Sequence, residues 1–169
     1  NIAQLGQGGS NLDCKSDNFA GSNIMYSTCT KYYITGTRRG LGYALKQRYH
    51  TVDSLEECDV FINNKHDGFT QVDMLYKAAE LNKRIINIGS HASDFTYLHQ
   101  YAVEKRALRE ANNHLFIAGK KTTCLNFGYF DTERSAHKDV DKMPLEYIIE
   151  IIEWTLNQKY NVKELTVCA

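Results

Sequence analysis

The sequence predicts an α/β domain: a small, mostly parallel sheet of about five or six strands in a three-layer αβα arrangement. Three observations carry that expectation. From residue 31 onward, short β-branched and aromatic runs alternate with segments of helical periodicity, and such alternation builds parallel strands joined by helical crossovers. The 33 residues from Lys31 to Asn63 leave room for one βαβ unit of about 30 residues, so the sheet is small. Hydrophobic residues at 43% and charged residues at 24% match a packed globular chain and exclude disorder, collagen and coiled coil.

The elements follow in order. KYYIT (31–35) is a strand that ends in the glycine-rich turn GTRRGLG (36–42), and YALKQRY (43–49) is a helix. HTV (50–52) is at most a stub of strand, and DSLEEC (53–58) is a short helix or turn. DVFIN (59–63) is a second strand, TQVDMLYKAAELN (70–82) a helix and RIINIGS (84–90) a third strand. A long helix covers about 97–113. KTTCLNF (121–127) is a fourth strand, Pro144 opens the helix over 145–158, and KELTVCA (163–169) closes as a fifth.

Residues 1–30 are different in kind. They are rich in Gly, Ser and Asn, and Asp13, Lys15 and Asp17 are their only charges. Such a segment buries little apolar surface and reads as a flexible or assembly arm, with 31–169 as the compact domain. Twenty basic and twenty acidic residues balance, which removes the bulk electrostatic case for nucleic acid or an anionic membrane. No apolar run reaches membrane-spanning length, and no signal peptide opens the sequence. Five cysteines without a CxxC pair point to reduced thiols in a cytoplasmic setting. The histidines show no metal-binding spacing, so no metal site is expected.

Three places carry chemistry. Gly36, Thr37, Arg38, Arg39, Gly40, Leu41 and Gly42 follow a strand and open a helix, where glycines let the backbone approach a pyrophosphate and free N–H groups favour an anion. The order is GxxxGxG rather than GxGxxG, so the turn alone is a weak signal. Tyr101 and Lys105 lie four apart on a helix and share a face; an ammonium beside a phenol lowers its pKa and makes it a usable acid or base. Ser90 ends an apolar strand, at the carboxyl edge where open parallel sheets bind ligands, and its hydroxyl can orient a substrate oxygen. Ser93 is a rival for that role.

Taken together and in this order, these features resemble the short-chain dehydrogenase/reductase family. The likeness extends to Asp59-Val60-Phe61-Ile62-Asn63-Asn64, similar to the family's strand ending in NNAG, although Lys65 and His66 replace Ala and Gly. Phe127-Gly128-Tyr129-Phe130-Asp131-Thr132 is similar to its PGxxxT segment, with Phe for Pro, and Met143-Pro144-Leu145-Glu146 resembles the start of its late helix. The resemblance covers about Lys31 to the last residue. It implies a Rossmann-type core and an NAD(P)-dependent oxidoreductase acting on a small carbonyl or alcohol. Gly36, Gly40 and Gly42 would carry the pyrophosphate, Asn63 would sit near the adenine-side ribose, and Thr132 would touch the nicotinamide amide. Tyr101 would be the acid/base, Lys105 would hold the nicotinamide ribose and lower the Tyr101 pKa, and Ser90 would orient the substrate oxygen. Gln71 is a candidate stand-in for the family's catalytic Asn.

Arg38 and Arg39 inside the turn suit a 2′-phosphate, so NADP(H) is favoured over NAD(H), although Asp53 stands near the spacing of an acid that binds a free ribose hydroxyl. The short Gly42–Asn63 interval removes most of the family's second and third strands, which build the adenosine side. Similar proteins form homo-oligomers through the helices around 72–81 and 97–108. Short length, many Asn and Tyr and a single Pro resemble virus-encoded members, which would place the protein in a host cytoplasm or virion. The alternative is a non-catalytic binding or structural protein of the same fold, such as a virion or assembly subunit that uses residues 1–30 to engage a partner.

Overall fold

A computed structural model describes residues 29–169, so nearly all of the proposed arm at 1–30 lies outside the described residues. Five strands and four α-helices alternate: β1 (Tyr32–Ile34), α1 (Gly40–Arg48), β2 (Val60–Asn63), α2 (Thr70–Glu80), β3 (Arg84–Ser90), α3 (Gln100–Ile117), β4 (Thr122–Phe127), α4 (Leu145–Leu156) and β5 (Glu164–Val167). All neighbouring strands are parallel, and their order across the sheet is their order along the chain. The architecture is the expected Rossmann-like αβα sandwich.

Strand side chains alternate between faces, and the sequence fills the two faces differently. Val60, Ile62, Ile86 and Leu125 pack with Leu41 and Leu45 of α1 and with Ile148, Ile149 and Ile152 of α4. On the other face Phe61 and Ile85 pack with Leu75 and Ala78 of α2 and with Leu108 and Leu115 of α3. That second face also buries polar side chains. Asn87 donates to Asn112 Oδ1 (3.2 Å), to Thr122 Oγ1 (3.0 Å) and to the Thr123 carbonyl (3.3 Å). It accepts from Asn63 Nδ2 at 3.0 Å, and Asn63 in turn donates to the Gln71 carbonyl at 2.8 Å. Each of these groups is almost wholly buried, so each hydrogen bond avoids the cost of a stranded donor or acceptor.

In a sheet whose strands follow chain order, crossovers of one hand place every helix on one face. Here α1 and α4 lie opposite α2 and α3. The chain accommodates α1 by returning from it to the outer edge of β1, where Thr51 bridges Tyr32. Tyr32 N–H donates to the His50 carbonyl and its own carbonyl accepts from Val52 N–H, both at 2.9 Å. The expected HTV strand is thus reduced to a single bridge. Residues 52–59 then pass to the inner edge of β1, where the Lys31 carbonyl accepts from Asp59 and Val60. The α4 crossover has the opposite hand to those of α2 and α3.

The third helix differs from expectation. It begins at Gln100 and ends at Ile117, not at 97 and 113. Ser90 Oγ caps a 3-10 turn over His91–Asp94 by accepting from Ala92 N–H, which uses the chain up to Leu98 for turns. His99 Nδ1 then caps α3 by accepting from Ala102 N–H. Gly119, at φ +84°, turns the chain just beyond its end. Cys58, Cys124 and Cys168 are free thiols, but Cys29 is disulfide-bonded, so the expectation of reduced cysteines fails there. Among the described residues no helix is long and apolar enough to cross a membrane.

Candidate active site

The glycine turn after β1 is built by close approach. Gly36 (φ +74°) and Gly40 (φ +57°) adopt backbone conformations that side chains disfavour. A Cβ on Gly42 would lie 2.1 Å from the Gly36 carbonyl oxygen, so Gly42 serves to press α1 onto the turn. Thr35 Oγ1 accepts from the N–H groups of Asn64 and Lys65, both at 3.0 Å, which ties the turn to the end of β2. The first turn of α1 carries no acidic residue, and Arg39 at its N-cap makes no side-chain capping bond. Its N–H groups are therefore left for an anion. Residues Gly36 to Leu41, with Asn64, Lys65, Lys105 and Thr132, line a groove of about 560 Å³.

A second cavity of about 710 Å³ opens at the carboxyl ends of β3 and β4, against Ser90 and the Phe127–Phe130 segment. Tyr101, His66, Thr132 and Arg134 line both spaces. Tyr101, 39% exposed, thus stands between a space that Ser90 lines and one that Lys105 lines. Ser93 is 1% exposed, borders neither space and accepts from Arg109. Asn63 is likewise absent from the groove wall, and its Nδ2 donates to the Gln71 carbonyl and Asn87 Oδ1. Its placement does not match the ribose role that the resemblance implied, and Asn64 occupies the wall instead. Gly42 is buried behind the turn rather than in the groove.

The electrostatics also differ from expectation. Lys105 does not hold the Tyr101 phenol below its usual range. Burial raises the Tyr101 pKa, against a hydrogen bond with Ser90 and the charge of Arg134, which pull it down. The Lys105 ammonium sits 5.7 Å from the centroid of the Tyr101 ring and donates instead to Gln71 Oε1 (2.8 Å) and the Ile88 carbonyl (2.9 Å). Burial brings its pKa down to about 8. Gln71 is held for this contact because its Nε2 donates to the Asn63 carbonyl at 2.7 Å.

Two further residues escaped the sequence reading. His66 Nε2 lies 2.9 Å from Glu104 Oε2, and its ring meets Tyr101 edge-on at 4.7 Å. Glu104 is 6% exposed and also accepts from Gln100 Nε2 at 2.7 Å. Burial and the nearby Lys105 lower the His66 pKa, and the pair sits beside the phenol within hydrogen-bond distance of one another. The available signal was Glu104 at i+3 from Tyr101, an acid on the helix face that bears the candidate acid/base. Among the described residues no cluster of His, Cys, Asp or Glu is arranged to hold a metal.

No protein-family model matches the sequence, and no curated protein sequence matches it. Solved structures do match. A short-chain dehydrogenase from Burkholderia cenocepacia J2315, in complex with NADP, aligns with a TM-score of 0.65 over 85% of this chain and 98% of that one, at 13% identity. The 3-oxoacyl-[acyl-carrier protein] reductase of Brucella melitensis aligns at 0.62 over 83% and 89%, at 14% identity. The 3-alpha-hydroxysteroid dehydrogenase of Pseudomonas sp. B-0831, complexed with NADH, aligns at 0.60 over 82% and 95%, at 13% identity. The fold is that of the short-chain dehydrogenases/reductases.

Proposed function

We propose that the protein is a compact member of that family, an NADP(H)-dependent reductase of a small carbonyl compound that works through Ser90, Tyr101 and Lys105. The observation that carries this reading is the position of Tyr101 at the junction of two cavities, with Ser90 in one wall and Lys105 in the other. The groove residues suit a dinucleotide: two glycines at positive φ, free N–H groups at the start of α1 for the pyrophosphate, and Arg38 and Arg39 for a 2′-phosphate. When bound, the reduced nicotinamide supplies the hydride.

The chain's own groups handle the proton. Tyr101 donates its phenolic proton to the carbonyl oxygen as charge develops there, and the Ser90 hydrogen bond and the Arg134 charge offset part of the rise that burial imposes on its pKa. Ser90 Oγ accepts from Ala92 N–H, so its own O–H is directed elsewhere and is available to the same oxygen. Lys105 has three donors; Gln71 and Ile88 occupy two, which leaves one for a ribose hydroxyl.

Titration of NADPH and NADH by fluorescence tests the cofactor: NADPH should bind, and Arg39→Ala should weaken it about tenfold while leaving NADH unchanged. Tyr101→Phe should cut turnover about a thousandfold with NADPH affinity intact. Binding of neither nucleotide would overturn the reading. One observation favours a second reading, a nucleotide-binding scaffold without turnover: Lys105 is directed to Gln71 rather than to the Tyr101 phenol. NADPH binding without reduction of any carbonyl by the wild-type chain would select it. A homo-oligomer built on α2 and α3 belongs to either reading and is read by sedimentation.

A further inference from the structure

The cavity on the Ser90 side has a composition that singles out a kind of substrate. Phe95, Phe127 and Phe130 supply aromatic wall, Arg134 and Lys138 supply positive charge, and among the described residues no carboxylate lines it. Both cations ride on one turn, and that turn is built rather than loose. Ser135 is 8% exposed; its Oγ donates to the Phe130 carbonyl (2.7 Å) and accepts from Thr132 N–H (3.1 Å). Phe130 in turn bridges to Met143. Lys138 is held against the wall by Tyr129, with Nζ 3.1 Å from the hydroxyl and 4.8 Å from the ring centroid. Arg134 makes no hydrogen bond or ion pair among the described residues. Its charge nevertheless reaches the reacting end, where it lowers the pKa values of Tyr101, His66 and Lys105.

Both cations are solvent-exposed and line an apolar pocket, so their charge is available to an anion that enters it, and a guanidinium fork fits a carboxylate. We propose that the substrate is an apolar or aryl oxo acid, whose carboxylate is clasped by Arg134 and Lys138 while its carbonyl turns toward Ser90 and Tyr101. The carbonyl part rests on the reductase reading; the anion site does not. Arg134 also borders the cofactor groove, whereas Lys138 lines only this cavity, so Lys138 separates the two ligands.

The test is calorimetric titration of the NADPH-mixed protein with three aryl oxo acids, 3-benzoylpropionate among them, each against its methyl ester. At least one acid should bind about tenfold tighter than its ester, and Arg134→Gln and Lys138→Gln should each remove most of that preference. Lys138→Gln should leave NADPH affinity unchanged. Esters that bind as well as every acid, no binding of any acid, or variants that retain the preference would each overturn the proposal. An acid bound with the expected preference but never reduced would sink the reductase reading and leave the anion site standing. Faster NADPH oxidation with esters than with acids would do the reverse.

Discussion

The two faces of the sheet solve the same burial problem by different means. Toward α1 and α4 the core is mainly aliphatic, with Leu45, Ile62, Ile148 and Ile152 at 0% exposure. Toward α2 and α3 the apolar cluster is interrupted by a chain of amides and hydroxyls from Thr122 through Asn87 and Asn63 to Gln71, which ends on the Lys105 ammonium. Apolar contacts are non-directional and tolerate small changes of shape. Buried polar chains fix orientation, and they fail when one member is lost. The face that must aim a lysine is built from the directional material.

The sharpest way to break this contrast is Asn87→Leu, which matches the volume but leaves the partners of four hydrogen bonds short. It should cost about 4 kcal/mol in denaturant unfolding and weaken NADPH binding. A loss no larger than that of an aliphatic trim would mean that the amides are mere filling. Lys105 gives the next effect. Its pKa of about 8 in the fold lies below its ordinary value, so between those two pH values the unfolded chain binds more protons and stability rises with pH. Wild type should therefore gain up to about 3 kcal/mol relative to Lys105→Met between pH 8 and 10.5. Parallel curves for the two proteins would show that the ammonium is not buried. On the aliphatic face, Ile152→Val should cost about 1 kcal/mol with cofactor affinity unchanged. Smallest is Arg48, which joins α1 to Glu146 and Glu153 of α4, each at 2.7 Å. Arg48→Ala should cost about 0.5 kcal/mol at low salt and nothing measurable at high salt.

The same contrast decides what the sequence disclosed. RIINIGS reads as β3 to the residue because a run of β-branched side chains bounded by a strand-end serine is a local signal. Gly36 and Gly40 were legible because a turn that needs positive φ needs glycine. The start of α3 was not, since His99 as cap and the Ser90-capped turn before it compete with a helical pattern that begins at Tyr97. Asn87, Asn112 and Thr122 have no periodicity; their meaning is a set of contacts across three elements. His66, Arg134 and Lys138 reach the site from loops, where no spacing rule says which way a side chain will face. Ser90 and Lys105 line two adjoining spaces that share Tyr101. The source of the Lys105 orientation, Gln71, is a tertiary fact.

Because spatial order across the sheet repeats chain order, the molecule has a natural direction of growth. Each new βα unit emerging from a ribosome would meet a finished strand edge waiting for it, and no central strand has to be reserved for a later partner. Among the described residues Thr51 is the one backward step, and it is made before β2 exists. Every closure spans a whole crossover, as parallel pairing requires, so such a chain is expected to fold vectorially rather than fast, domain-internal contacts forming in the order of synthesis.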